Sequence, residues 1–596
     1  QRQNSTTKLE VLSSAKTGIR FSNIITENPA FHYFIYTYAY HGGGVAIGDI
    51  NGDDLPDIYF TANQLPNKLY LNKGDLTFED ITETAGVAGN SGWTTGVSMA
   101  DVNADGLLDI YVCISGMDQD PSTRENLLYI NNGDNTFSEA AKNFGLAGAG
   151  HTSMAYFADL DHDNDLDMYE VNHRVDWAMN TKAIIDPRFV PGPFETDRLY
   201  INNGTGKFED QTKKAGIKNK AWGLSAAIAD MNMDGKNDIY VANDFLEPDF
   251  LYLNNGDGTY EEKNTEITKH ISFYGMGSDW ADFNNDALPD LCVLDMTPAD
   301  HKRSKENMAS MFPEQFFGMV DLGWHHQYMT NTLQMNNGNG SYSEIAHLAG
   351  IDRTDWSWAP LFVDIDNDGW KDLFVTNGIK RDVTNNDFKM RIQEVMKEKG
   401  SSLDFESVMS MIPKYVSENI IFRNKGNLTF HQSNLDWSYQ QKMISTGAAY
   451  ADLDGDGDMD LITNNLDQSA SIIKNTTNDN GQSNFLQFKL TGGAENPFSI
   501  GSKVTIETDE GKQYQELFHG RGFQSSVEPI VHFGLGNSKV HSVKIEWYDG
   551  TTTSMNHPSI NQRIKIDKQG SIPIQKAVVA QTVFTETSNK LGLNHI

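Results

Sequence analysis

The chain has 596 residues, with 81 acidic against 47 basic side chains and a formal net charge of −34. So acidic a surface excludes nucleic-acid binding, which needs a basic face, and argues against docking on anionic lipid. Hydrophobic residues at 38% are too many for a disordered acidic chain, two cysteines are too few for a disulfide scaffold, and no run approaches the about eighteen apolar residues of a membrane span.

In chain order, residues 1–20 carry no initiator Met and no apolar leader. They read as a polar tether left after removal of an export signal. The strand-like Phe21–Glu27 comes next, and then a repeat begins. A nine-residue pattern, D-x-[DN]-x-D-x-x-x-D, occurs seven times, at intervals of 52 to 88 residues. Each copy follows a Gly/Ala-rich apolar segment such as Gly96-Val97-Ser98-Met99-Ala100 and precedes an apolar strand such as Ile239-Tyr240-Val241. Two further segments complete the unit, as in Leu69-Tyr70-Leu71-Asn72-Lys73-Gly74 and Thr77-Phe78-Glu79-Asp80. Four short strands per unit, punctuated by Asn-Gly turns, predict an all-β, seven-bladed β-propeller over residues 21–478. The seventh unit lacks its last strand, and Phe21–Glu27 is the predicted replacement that closes the ring. Extra length falls near Asn172–Asp197, Asp295–Thr330 and Asn377–Glu418, the last with a helical stretch over Asp387–Lys399.

Alternate residues of a tight loop point inward, so positions 1, 3, 5 and 9, with the carbonyl of position 7, are predicted to converge on one cation. The sets are Asp49, Asn51, Asp53, Leu55, Asp57; Asp101, Asn103, Asp105, Leu107, Asp109; and Asp159, Asp161, Asp163, Asp165, Asp167. They continue with Asp230, Asn232, Asp234, Lys236, Asp238; Asp282, Asn284, Asp286, Leu288, Asp290; Asp364, Asp366, Asp368, Trp370, Asp372; and Asp452, Asp454, Asp456, Asp458, Asp460. Oxygen-only ligands select calcium over zinc or copper, and magnesium resists the dehydration such a loop demands. Seven ions would bring the net charge of −34 to about −20.

Residues 484–567 alternate in strand fashion and predict a small β-sandwich. A linker over 568–582 leads to 583–596, where Phe584–Ser588 repeats the blade-ending strand and predicts the start of a further propeller. Together, loops and flanking strands over 20–478 resemble the FG-GAP/VCBS propeller repeats of integrin α-chains. Ile500-Gly501-Ser502-Lys503-Val504, Gly520-Arg521-Gly522-Phe523-Gln524-Ser525, His532-Phe533-Gly534-Leu535-Gly536 and Val543-Lys544-Ile545-Glu546-Trp547 resemble the ASPIC/UnbV domain. That domain follows such propellers in the cartilage acidic protein family and in bacterial proteins, including large exported ones of the Bacteroidetes type. The resemblance implies a secreted or surface-anchored calcium-binding protein and no particular reaction.

Eight residues before each loop stand His41, Trp93, His151, Trp222, Tyr274, Trp356 and Ile444, at the strand end away from the loops. Six are aromatic or imidazole, a candidate ligand ring for sugars or a protein side chain, or else rings wedged between blades as core. His41, His151, His173, His325 and His326 offer acid–base groups, but no nucleophile triad or zinc spacing accompanies them. Gly42-Gly43-Gly44 lacks a P-loop lysine, so a phosphate cradle is not expected. Cys113 and Cys292 fall in different blades and are expected to be reduced. The expected function is an exported, calcium-stabilised surface module binding glycan or protein, as accessory to an outer-membrane uptake or secretion complex and with a lipid anchor as one mode of attachment. A polysaccharide lyase or hydrolase and a structural or adhesive spacer are the alternatives.

Overall fold

The computed structural model describes residues 8–90, 92–118, 120–175, 194–307, 313–399, 404–479 and 481–573. Seven antiparallel four-strand blades follow the seven acidic loops. Blade 1 comprises Val45–Gly48, Asp57–Phe60, Lys68–Asn72 and Phe78–Asp80, and blade 4 comprises Trp222–Ala229, Asp238–Asp244, Phe250–Asn254 and Tyr260–Glu262. Inner strands are poor in side-chain volume because seven of them converge on one axis. A Cβ added to Gly277 would lie 2.0 Å from the Trp358 carbonyl of the next blade, so only glycine fits there.

Ring closure departs from the sequence expectation. Blade 7 (Ser445–Ala451, Asp460–Asn465, Ser471–Asn475) takes its outer strand from Leu9–Val11, with Leu9 opposite Asn475 and Val11 opposite Ile473. The one-turn helix Ser14–Thr17 and left-handed Gly18 follow it, just as Thr82–Ala85 and Gly86 follow the outer strand of blade 1. The segment at Phe21 does different work. Phe21 stacks on Phe60 at 4.8 Å, while Ser22 and Asn23 bridge to Ser469 and Leu466. A phenylalanine in an alternating stretch pointed to the wrong strand, whereas the glycine that ends the following helical turn marks the right one. Residues 8–20 therefore belong to the propeller rather than to a tether, and residues 1–7 lie outside the described residues.

The blade 5 insert carries helices His301–Glu306 and Pro313–Asp321, and the blade 6 insert carries Asn386–Lys399 and Phe405–Met411. Most of the blade 3 insert lies outside the described residues. The second domain is a sandwich of two sheets. One holds Val531–Gly534, Phe485–Thr491 and Arg563–Asp567. The other holds Gly511–Glu516, Lys503–Thr508, Val540–Glu546, Thr551–Asn556 and Ile572–Pro573. It thus runs past the expected end at 567, since Ile572 pairs with Thr552. The segment 583–596 lies outside the described residues.

The sandwich sits on the acidic-loop face and sends a hairpin down the propeller axis. Gly520–Arg521 pairs with Ser525–Ser526, and Ser526 pairs with Ala46, extending the sheet of blade 1 to six strands. Val97 N–H of blade 2 donates to the Gln524 carbonyl at 3.1 Å, and Ser278 N–H of blade 5 to the Gly522 carbonyl at 3.3 Å. Arg521 donates to Asp279 at 2.9 Å, both side chains being buried. At the tip, Phe523 is fully buried against Trp358 at 5.1 Å. Gly44 finds its reason here, since its Cβ would lie 1.7 Å from the Gln524 carbonyl, whereas one on Gly43 would lie 2.4 Å from the Thr61 carbonyl.

Candidate functional site: acidic loops and aromatic face

All seven loops share one internal bonding scheme. The first aspartate accepts loop N–H groups, as Asp49 Oδ1 does from Gly52 (2.7 Å) and Oδ2 from Asp54 (2.9 Å). In each loop the fifth-position Oδ1 accepts the N–H of position 7: Leu55, Leu107, Asp165, Lys236, Leu288, Trp370 and Asp458. The ninth aspartate reaches in two directions. Asp57 accepts from Ile50 N at 3.0 Å and from Asn72 N at 2.8 Å, and the same pair of bonds recurs at Asp109, Asp167, Asp238, Asp290, Asp372 and Asp460. In six blades that strand-three asparagine then donates its Nδ2 to the preceding blade, as Asn72 does to Leu453 O, Asn131 to Ile50 O and Asn475 to Ile365 O, while Asn202 donates to Leu166 O of its own blade. Read from sequence, this asparagine is a turn former. In the structure it bolts neighbouring blades together, and its recurrence as the last residue of every third strand is the signal that could have found it.

The loops divide by their third residue. Where it is asparagine, its amide bridges to the fifth aspartate, as Asn103 Nδ2 does to Asp105 at 2.8 Å and Asn51 to Asp53 at 3.0 Å. Where it is aspartate, acid oxygens gather: Asp159/Asp161/Asp167, Asp364/Asp366/Asp372 and Asp452/Asp454/Asp456 each bring three within 4.8 Å of one another. These Asp-rich groups are able to hold a metal. Buried oxygens at Asp165 Oδ1, Asp452 Oδ1 and Asp458 Oδ1 have no hydrogen-bond partner, the condition a cation would relieve. Burial, reinforced by neighbouring carboxylates, pushes Asp159 and Asp456 up to about 7 and Asp458 up to about 8.

Basic side chains partly offset the other acids. Arg423 pairs with Asp366 at 2.7 Å, and Lys474 with Asp454 at 2.6 Å. From the sandwich, Lys503 pairs with Asp230 at 2.5 Å and Lys489 with Asp54 at 2.8 Å. Among the described residues the triad of loop 3 alone has no lysine or arginine paired to it.

On the far face, the predicted aromatic ring is not an open channel mouth. His41, His151, Trp222, Trp356 and Ile444 are buried, while Trp93 and Tyr274 are half-buried. The segment 28–40 lies over them: Phe31 meets Trp93 at 5.0 Å, and Tyr38 meets His41 at 4.0 Å. Arg174 covers Trp222 at 4.7 Å. Burial holds His151 down at about 4 and His41 and His173 well below the usual imidazole range. His173 is wedged between Ser115 (2.9 Å) and Ser153 (3.0 Å), and His325 faces Thr268 at 2.8 Å. These contacts are those of neutral packing groups. Both cysteines are buried and free.

Three of the predicted ring, His41, Tyr274 and Trp356, line a cavity of 120 Å³ with Tyr33, Tyr40, Asp244, Phe245, Met296, Trp358 and Lys389. Sequence reasoning missed Asp244 because it lies at the end of a blade strand, inside no motif.

The fold and loops define a class: an FG-GAP-repeat β-propeller capped by a β-sandwich. FG-GAP-like repeat models match residues 49–112, 114–169, 189–241, 230–293 and 318–375, and the ASPIC and UnbV model matches 492–573, so the chain carries both. It is similar to cartilage acidic protein 1. The match is 22% identical to the Xenopus tropicalis protein, covering 88% of this chain and 73% of that one. It is 23% identical to the human protein, covering 60% of this chain and 45% of that one, so the match spans less than half the human relative's length. Among solved structures, an Agrocybe aegerita lectin described as recognising non-reducing terminal N-acetylglucosamine aligns at TM-score 0.37 and 16% identity over 65% of this chain and 79% of that one. The exotype rhamnogalacturonan lyase YesX aligns at TM-score 0.35 and 13% identity over 74% and 72%. Among the described residues no helix is long and apolar enough to cross a membrane.

Proposed function

We propose that the protein is an exported binding module for glycan or protein, stabilised by calcium in its acidic loops. The observation that carries this reading is the convergence of three acid oxygens within 4.8 Å in loops 3, 6 and 7, with partnerless buried oxygens in loops 3 and 7. Bound there, calcium supplies positive charge to loops that are otherwise self-repelling, in extracytoplasmic surroundings where it is abundant. The chain's own contribution is rigidity. The ninth aspartates and strand-three asparagines transmit loop order from blade to blade, and the cavity-bearing face is held on that frame. All seven loops have the donor pattern, with loop 3 the strongest site because no basic side chain competes for it.

Thermal unfolding with calcium and with chelator tests the metal. A melting temperature that chelation leaves unchanged removes it from the reading. Glycan arrays probed with wild type, Tyr274→Ala and Trp356→Ala test recognition. Binding lost in both variants supports recognition at the aromatic face, and an array with no wild-type signal leaves protein as the ligand class.

A further inference from the structure

From the cavity on the aromatic face we propose a site for a small organic ammonium group, a protonated aliphatic amine or a quaternary ammonium. This deepens the binding-module reading and rests on it. Asp244 lies at the end of the second strand of blade 4 and lines the cavity, with only 3% of its surface exposed. Its Oδ1 accepts the Phe245 N–H at 2.8 Å, the carboxyl that acts on it from nearby is Asp295, and among the described residues no lysine or arginine is paired with it. A buried carboxyl either pairs with a cation or is held neutral; burial, with Asp295 nearby, holds Asp244 well above the usual carboxylate range, and the cavity it lines has room for the cation that would bring it back.

The walls suit the same ligand. Phe245 and Tyr274 stand at 88° with centroids 6.0 Å apart, forming a corner, and Tyr33 stacks on Tyr40 at 5.6 Å. Trp356 completes the lining. Electron-rich ring faces around one buried carboxylate attract an ammonium by cation–π and direct charge together. A sugar needs several hydrogen-bonding groups on its hydroxyls, and this lining is mostly carbon. An anion is excluded by Asp244. The exposed residue Lys389 also lines the cavity and is not paired with Asp244 among the described residues.

The test uses the full chain with calcium and titrates choline, tetramethylammonium and neohexanol, the uncharged carbon isostere of choline, by calorimetry. Expected are binding of both cations, no binding of neohexanol, and a loss of about tenfold or more in Asp244→Asn. Tyr33→Leu, at the half-exposed entrance, weakens binding without disturbing the core, so it stands in if Asp244→Asn misfolds. Lys389→Met, which removes a like charge from the rim, tightens binding. Equal binding of neohexanol, or no cation binding by a calcium-loaded folded chain, overturns the proposal. If the cations fail to bind while glycan-array binding persists, the proposal falls and the binding-module reading stays in place.

Discussion

Replacing Arg521 with methionine is expected to release the sandwich hairpin from the propeller axis. Arg521 donates to Asp279 at 2.9 Å and to the Trp280 carbonyl in blade 5, and reaches the Tyr450 hydroxyl of blade 7 at 3.3 Å. Asp279 also accepts the Phe362 N–H of blade 6 at 2.8 Å, so one ion pair ties three blades to the hairpin. The side chains are 9% and 1% exposed. Removing one partner of so buried a pair leaves a carboxylate with no counter-charge and costs about 3–5 kcal/mol. In Arg521→Met/Asp279→Asn the uncompensated charge is gone while an oxygen still faces Phe362 N–H, so most of that loss is recovered. Urea unfolding of the full chain in calcium, followed by tryptophan fluorescence and by protease susceptibility of residues 479–484, measures both. A single variant within about 1 kcal/mol of wild type, or a double variant as unstable as the single, would refute the counter-charge account.

Three further outcomes are expected. Chelation lowers the melting temperature, and Asp161→Asn shrinks that calcium-dependent shift more than Asn103→Ala does; at free calcium about a hundredfold above its dissociation constant each site contributes about 2.7 kcal/mol, and equal effects in titrated melts would contradict the ranking of loops. His519, at the base of the hairpin, is held by burial at about 4. Its contribution to stability is complete above the unfolded value of about 6.5 and falls by about 3 kcal/mol as pH drops to 4, so His519→Leu should flatten the stability–pH curve over that window, and an unchanged slope would refute it. Gly44→Ala, whose Cβ would meet the Gln524 carbonyl at 1.7 Å, should displace the hairpin and destabilise the chain by about 1–3 kcal/mol; wild-type urea midpoints would show that the axis yields.

The propeller is legible in the sequence because aspartates at fixed spacing announce each blade, and strand and turn chemistry recurs around them. The three acid triads are legible too, since they are the loops with aspartate at position three. Other features are not. The closing strand Leu9–Val11 has too few residues to show a period, and its partner lies beyond residue 470. The hairpin motif around Phe523 is visible as a motif, yet its role depends on contacts 242 to 480 residues away, from Arg521 to Asp279 and from Ser525 to Val45. Aromatic residues at strand ends suggested an open mouth, but nothing local reveals that Phe31, Tyr36 and Tyr38 fold back over them.

The ring's clasp also sets an order of biogenesis. Leu9–Val11 is made before its partner and waits for Ser471–Asn475. Six blades are able to fold as they are made, but the seventh stays an open sheet edge, and the axis stays hollow until Ser526 arrives. Until Ser471–Asn475 arrives, the first strand stays unpaired and the ring open. A nascent chain stopped short of the hairpin carries an unfilled axis, and so remains recognisable to proteases as unfinished.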